Sequence, residues 1–154
     1  MPFFQTAGCL AIVALLGANS PRASIEFTKD SLEAVKKNVS AGKAVLVDVR
    51  SQEEWNKGHI EGSIFLPVTS LRKGGDPKKI AKLLPKKKVV YTFCVVGMRA
   101  KTAAYVLGQQ GYKVRALKPG YDELIEAGFK KGKNEPKAGK SVADHENSRQ
   151  RNAG

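Results

Sequence analysis

Two short, almost unbroken apolar runs constrain the fold of this chain more than any other feature. The first covers residues 44–49 and the second covers residues 89–93. A run of this length without alternating polar residues is typical of a strand buried on both faces, as in a parallel sheet with helices above and below it. Helical patterns surround both runs, so the sequence predicts a three-layer α/β sandwich with a central, mainly parallel sheet flanked by helices.

The other elements are predicted from local periodicity and from helix start and stop signals. Thr28 is predicted as the N-cap of a first helix that ends near Val39. Gly111 and Gly128 are predicted to end later helices. The further predicted helices cover residues 53–57, 77–84, 100–110 and 121–127, and the further predicted strands cover residues 25–27, 64–67 and 114–117.

Cys94 follows the second apolar run directly and precedes a helical pattern. A loop that turns from a strand into a helix points backbone N–H groups and the positive end of the helix dipole at its centre. Such an environment favours the thiolate form of a cysteine, which is the nucleophilic form. Gly97 fits a tight ring of inward-facing amides, because glycine accepts positive φ without strain. The sequence therefore predicts Cys94 as a catalytic nucleophile rather than a buried, inert thiol.

The order and spacing of several short motifs resemble the rhodanese-like family of sulfurtransferases in its single-domain form. The resemblance covers residues 25–129 and includes the Cys-x-x-Gly-x-Arg loop from Cys94 to Arg99. The other segments that carry it are Val47-Asp48-Val49-Arg50, Glu54-Trp55, Gly58-His59-Ile60-Glu61-Gly62-Ser63, Leu66-Pro67, Gly111-Tyr112-Lys113-Val114 and Leu117 to Tyr121. The fold of that family agrees with the predicted alternation.

The resemblance implies that Cys94 attacks the outer sulfur of a donor such as thiosulfate and carries it as a persulfide to a thiol, cyanide or protein acceptor. Arg99 would hold the anionic oxygens of the donor or stabilise the loop, since a guanidinium offers forked donors. An ordinary ion pair is the alternative for Arg99. The residues predicted to bind the donor, mainly through backbone N–H groups, are Val95, Val96, Gly97, Met98, Arg99 and Ala100.

The side chains of this loop depart from a common family pattern. Many members carry a basic or polar residue directly after the cysteine, whereas this loop has Val95, Val96 and Met98. An apolar mouth favours a less polar donor, or a persulfide on a partner protein, over thiosulfate. The surrounding lysines still attract anions at longer range.

Asp48 and Arg50 are predicted to support the site from the end of the neighbouring strand. They could pair with each other or with Arg99, and an Asp that caps its own loop is the alternative. His59 has no second ligand at metal-binding spacing, so we expect no metal site and no cofactor, and a structural role for this histidine. Trp55 is predicted to pack in the core.

The formal net charge of +13 is the compositional outlier. The lysines occur in clusters, and no aromatic residues interleave with them as a stacking surface for nucleic acid requires. We therefore expect small anionic molecules or acidic proteins as partners, and not nucleic acid. We expect the chain to act as a monomer.

Residues 1–23 have the layout of a signal peptide, since Met1 to Pro21 contains no charged side chain and residues 9–18 are apolar or small. Cleavage after Ala18 and cleavage after Ala23 both fit. Export to the periplasm or the medium is predicted, with an uncleaved membrane anchor as the alternative. Cleavage would remove Cys9 and leave Cys94 as the only cysteine, which excludes an internal disulfide from the mature chain.

The predicted rhodanese-like domain covers residues 24–129, and residues 130–154 are predicted to form a basic disordered tail because they contain few large apolar residues. Two other functions remain open for the domain. A Cys-dependent phosphatase of related fold is one, although such enzymes place five residues between Cys and Arg and this chain places four. A non-catalytic module that binds a partner is the other.

Overall fold

The computed structural model describes residues 26–133. The predicted signal peptide at 1–23 and most of the predicted tail, from residue 134 onward, lie outside this range. The chain forms, in order, α1 (Leu32–Ser40), β1 (Ala44–Asp48), α2 (Gln52–Lys57), β2 (Ile64–Phe65), α3 (Val68–Arg72), α4 (Pro77–Leu83), β3 (Val89–Phe93), α5 (Met98–Gln109), β4 (Lys113–Ala116) and α6 (Tyr121–Glu126).

The four strands form one parallel sheet in the order β2-β1-β3-β4. The two apolar runs of the sequence are therefore the two central strands, in a register that pairs Ala44 with Val89 and Asp48 with Phe93. Phe27 adds an isolated parallel bridge to Ala116 at the β4 edge, where a short strand was predicted. The prediction of a mainly parallel α/β sheet is confirmed.

Side chains of the central strands alternate between two separate cores, one on each face of the sheet. Val47, Val90 and Cys94 face the core that α3, α4 and α5 cover. Leu46 and Tyr91 face the core that α1 and α6 cover. The sheet with its two helical layers is the predicted sandwich, and it places Cys94 at the carboxyl end of a central strand, where open α/β sheets hold their ligands.

Several predicted boundaries were wrong by a few residues. Ser31, and not Thr28, is the N-cap of α1, because the Ser31 hydroxyl accepts a hydrogen bond from the Ala34 N–H while the Thr28 N–H bonds to the Ala116 carbonyl. Helix α5 begins at Met98, two residues before the predicted start. Helix α3 was not predicted, since five residues after Pro67 are too few to show a helical period.

The chain continues to pair with the domain beyond Phe129, where the tail was predicted to begin. The Lys130 carbonyl accepts the Glu61 N–H, and Lys131 forms an isolated antiparallel bridge with Ile60. Trp55 is half-buried and stacks on His59 with 4.1 Å between ring centroids, so its predicted place in the core was wrong. Among residues 26–133, no helix has both the length and the apolar character needed to cross a bilayer.

Candidate active site

Cys94 is the first residue of the loop between β3 and α5. Its Sγ accepts a hydrogen bond from the Gly97 N–H at 3.1 Å. Three further N–H groups, those of Met98, Arg99 and Ala100, open the first turn of α5 and have no carbonyl partner within the helix. Cys94 as a whole is only 1% exposed, so its sulfur is almost completely buried beneath the loop.

Gly97 is required by both its conformation and its neighbours. It has φ of +82°, which side chains with a Cβ rarely adopt. A Cβ at this position would also lie 2.6 Å from the ring of Phe27 and 3.1 Å from the Lys118 carbonyl oxygen. The tight turn that aims the Gly97 N–H at the sulfur is therefore possible only for glycine.

The first residue of α6 and the glycine before it hold the loop from the other side. The Tyr121 N–H donates to the Cys94 carbonyl at 2.9 Å. The backbone of Gly120 packs directly on the Val95 carbonyl group, so that a Cβ on Gly120 would lie 2.5 Å from the Val95 carbonyl carbon. Thr92 joins β3 to the first turn of α5, because its buried hydroxyl donates to the Ala100 carbonyl at 3.0 Å. The position of Cys94 is therefore fixed by β3, α5 and the start of α6 together.

Arg99 forms a two-point ion pair with Glu54 of α2, at 2.7 Å and 2.8 Å. This contact corresponds to the ion-pair alternative stated for Arg99 above. Its hydrogen bonds to Glu54 are the main cause of a raised pKa for Arg99, and the nearby Cys94 contributes in the same direction. The guanidinium thus joins α2 to the first turn of α5 and adds positive charge beside the thiol.

The sequence motifs contained Glu54, but its role as the partner of Arg99 was missed. A Ser-x-x-Glu capping box was the available signal, since the Ser51 N–H donates to Glu54 Oε2 and the Ser51 hydroxyl accepts from the Glu54 N–H. The capping box fixes the carboxylate at the start of α2. Pairing across 45 residues of sequence was not visible in that local pattern.

Asp48 and Arg50 pair with each other and not with Arg99, and Asp48 also caps its own loop by accepting the Arg50 backbone N–H at 3.0 Å. Arg50 Nε and Nη2 donate to the Asp48 carboxylate at 2.7–3.0 Å, and Nη2 also donates to the Gly58 carbonyl at 2.7 Å. The guanidinium lies 4.2 Å from the ring centroid of Tyr121. Burial raises the pKa of Asp48, while the hydrogen bonds from Arg50 act in the opposite direction. The pair therefore supports Tyr121, which in turn holds the Cys94 carbonyl.

The other residues predicted to bind the donor differ in how exposed they are to solvent. Gly97 and Ala100 are buried, whereas the side chains of Val95, Val96 and Met98 are exposed. Val96 and Met98 are 70% and 64% exposed. Of the predicted loop residues, Gly97 bonds to the sulfur through its N–H and Arg99 lies near Cys94. The roles of all six residues in binding a donor stay predictions.

Replacing Glu54 with glutamine is expected to remove a pH-dependent part of the stability. The hydrogen bonds from Arg99 lower the pKa of Glu54 from its ordinary 4.5 to about 2. A lowered folded-state pKa stabilises the fold above pH ~4.5 and loses that contribution as the pH falls toward ~2. Both side chains are partly exposed, which weakens the pair. We therefore expect the free energy of unfolding of wild type to exceed that of Glu54→Gln by about 1–2 kcal/mol at pH 7. Urea unfolding at pH 7, 4.5 and 3 measures this difference.

The difference between the two proteins should shrink steadily from pH 4.5 to pH 3. Glu53→Gln is the matched control, because Glu53 is exposed and has no salt bridge among residues 26–133. A constant difference across the three pH values would show that the Glu54–Arg99 pair does not act through the charge of Glu54.

Taken together, these contacts define an α/β domain that holds one thiol in a loop of backbone donors at the carboxyl end of a parallel sheet. The family model for the rhodanese-like domain matches residues 31–127. The chain belongs to the rhodanese-like domain family.

Relatives and solved structures agree with this assignment. The chain is 32% identical over 98 residues to a Bacillus subtilis protein named "Putative sulfur carrier protein YrkF", and this match covers 63% of the chain and 50% of the relative. The human single-domain sulfurtransferase TSTD1 is 27% identical, with a TM-score of 0.55 over 63% of this chain and 94% of that one. The single-domain sulfurtransferase RDL2 of Saccharomyces cerevisiae is 26% identical, with a TM-score of 0.53 over 66% and 95%. The chain spans half or less of the length of the curated relatives that it matches.

Proposed function

We propose that this protein is a sulfurtransferase that carries sulfane sulfur on Cys94 as a persulfide. The observation that carries the proposal is the position of Cys94 Sγ, which accepts the Gly97 N–H at the amino end of α5. Backbone donors and a helix N-terminus stabilise negative charge on sulfur, both on the thiolate before the reaction and on the persulfide after it. The similarity of the chain to two single-domain sulfurtransferases supports sulfur transfer as its chemistry.

Thiosulfate is the proposed simple donor. The Cys94 thiolate attacks its outer sulfur, a bond forms between the two sulfur atoms, and sulfite leaves with the electron pair of the broken S–S bond. An acceptor then attacks the outer sulfur of the persulfide, and Cys94 leaves as a thiolate. With cyanide as the acceptor the product is thiocyanate, so charge and electrons balance in both steps. No step requires an external oxidant or reductant.

The residues of the loop and its neighbours have different proposed roles in sulfur transfer. The Gly97 N–H already bonds to the sulfur, and the free amides of residues 98–100 at the start of α5 would stabilise charge on the donor and on the outer sulfur. Glu54 holds the Arg99 guanidinium near Cys94 and offsets part of its positive charge. Tyr121 and Gly120 keep the loop closed around the sulfur from the opposite side.

The test is the intact mass of the protein after incubation with thiosulfate. A Cys9→Ser background leaves Cys94 as the only thiol of the chain. We expect a gain of roughly 32 Da, which is one sulfur atom added to the thiol as a persulfide. The adduct should be absent in Cys94→Ser and should be removed by cyanide with release of thiocyanate.

Further donors and substrates separate the alternatives. If thiosulfate gives no adduct, glutathione persulfide tests a larger, persulfide-type donor through the same mass change. Hydrolysis of p-nitrophenyl phosphate that depends on Cys94 would support a phosphatase instead. A lack of adducts and of hydrolysis with all three compounds would contradict catalysis by this site and leave the binding module.

A further inference from the structure

The exposed apolar side chains of the domain are concentrated at the mouth of the site. Among residues 26–133, the exposed large apolar side chains are Val95, Val96, Met98 and Tyr105. Val95 and Val96 belong to the loop that follows the buried Cys94, and Met98 is the first residue of α5. Tyr105 lies seven residues after Met98 in α5, and this spacing places the two side chains on one face of the helix.

These side chains contribute nothing to the binding of a small polyanion. A valine or methionine offers no hydrogen-bond donor to thiosulfate, and each exposed apolar group stabilises a complex only when a partner covers it. The core of the domain does not use them either, since Val96 and Met98 are more than half exposed. Apolar groups gathered in this way around a reactive atom are typical of a docking surface.

Cationic groups flank the four exposed apolar side chains, which are called the apolar rim from here on. Lys101 lies over the ring of Phe27, 4.9 Å from its centroid, and the same ring packs against Gly97. The exposed Lys118 follows in the segment whose backbone contacts Gly97 from the other direction. Two carboxylates beside the loop are engaged internally, Glu54 by Arg99 and Glu123 by the Gly120 N–H. The surroundings of the rim therefore favour acidic groups on a partner, and the net charge of +13 adds long-range attraction.

We propose that the rim of Val95, Val96, Met98 and Tyr105 docks a protein partner whose reacting thiol lies between apolar residues within an acidic segment. This inference rests on the proposed function, because the partner takes sulfur from the Cys94 persulfide. The partner thiolate attacks the outer sulfur, a new S–S bond forms on the partner, and Cys94 leaves as a thiolate. The buried position of Cys94 requires an extended segment at the mouth, so that the partner sulfur can approach the persulfide.

Short cysteine peptides test the proposed surface as sulfur acceptors. The first has a central cysteine between two leucines, with aspartates at both ends. The second replaces the leucines with serines, and the third replaces the aspartates with lysines. The Cys9→Ser protein is loaded as the persulfide, and the rate of sulfur transfer to each peptide is measured by mass spectrometry. We expect the first peptide to react about tenfold faster than either of the others, because one partly buried apolar side chain or one favourable charge contact accounts for that factor.

Variants of the protein test whether the preferences for leucine and for aspartate in the peptide arise from the apolar rim and its flanking lysines. Met98→Gln should reduce the preference for leucines to about twofold or less, since it removes much of the exposed apolar area. Lys118→Gln should weaken the preference for aspartates over lysines. Lys87→Gln is the matched control, because this exposed lysine precedes β3 at the opposite end of the sheet. Equal rates for the three peptides, or a leucine preference unchanged in Met98→Gln, would overturn the docking proposal.

A binding measurement separates the docking proposal from the proposed chemistry. Peptides with serine in place of the cysteine cannot accept sulfur, but they can still occupy the rim. In an NMR titration of the ¹⁵N-labelled protein, the leucine and aspartate peptide should shift the amide signals of residues 95–98, and Met98→Gln should weaken that response. If no donor forms a persulfide, the proposed function fails while the titration still decides the docking surface. The absence of shifts in the loop would refute the surface alone.

Discussion

Gly120→Ala is expected to lower the free energy of unfolding by about 3 kcal/mol or more, which is at the upper end for overpacking of a dense site. The new Cβ would lie 2.5 Å from the Val95 carbonyl carbon and 3.0 Å from its Cα. These are backbone atoms, so the clash cannot be relieved by a change of side-chain rotamer. Gly120 itself has φ of −95° and ψ of −170°, an extended conformation that alanine adopts without strain. The expected loss is therefore purely steric and acts on the Cys94 loop.

Gly108→Ala is the matched control for this substitution. Gly108 lies in α5, and a Cβ there would have no heavy atom within 4 Å. Alanine in a helix is more favourable than glycine by roughly 0.5–1 kcal/mol, so Gly108→Ala should stabilise the protein. Urea unfolding measures both changes, and the rate of Cys94 alkylation in a Cys9→Ser background reports on the loop. Equal stability of Gly120→Ala and wild type would show that the loop yields to the new methyl group.

Arg50→Met is expected to cost about 3–5 kcal/mol, the range for breaking a buried ion pair by removing one partner. The side chains of Asp48 and Arg50 are 0% and 5% exposed, so the remaining carboxylate would be left without its counterion and away from water. The Gly58 carbonyl would lose a donor, and the Tyr121 ring would lose the guanidinium that packs on it. Thermal and urea unfolding measure the loss.

Two further variants show whether the loss comes from the unpaired charge. Arg72→Met is the control for a change of arginine as such, because Arg72 is exposed at the end of α3 and has no salt bridge among residues 26–133. Its effect should stay within about 0.5 kcal/mol. The double variant Asp48→Leu with Arg50→Met removes both charges and should recover part of the stability. If the double variant is less stable than Arg50→Met, the stranded carboxylate is not the source of the cost.

The layout of the fold could be predicted from sequence because it depends on local patterns. The apolar runs at 44–49 and 89–93 identified the two central strands, and the turn from the second run into a helix placed Cys94 and Gly97 at the site. Each of these signals is contained within a few residues. Their physical basis, burial of both sheet faces and the φ freedom of glycine, does not depend on distant partners.

The contacts that hold the site together could not be predicted in this way. The bidentate pairing of Glu54 with Arg99 and the packing of Gly120 on Val95 join segments far apart in sequence. Asp48 had two possible guanidinium partners in the sequence, Arg50 and Arg99, and only the folded structure shows that it pairs with Arg50. The N-cap of α1 moved from Thr28 to Ser31 for a similar reason, since the bridge of Phe27 to Ala116 fixes the chain just before the helix.

The closure of the loop by Gly120 and Tyr121 also sets the order in which the site is assembled. A ribosome releases β3 and its cysteine before it releases the segment that packs on Val95 and binds the Cys94 carbonyl. The central strand also lacks its β4 neighbour at that stage of synthesis. A nascent chain that stops short of α6 therefore carries the thiol without its complete surroundings. The surroundings of Cys94 are thus complete only when the C-terminal part of the domain has folded.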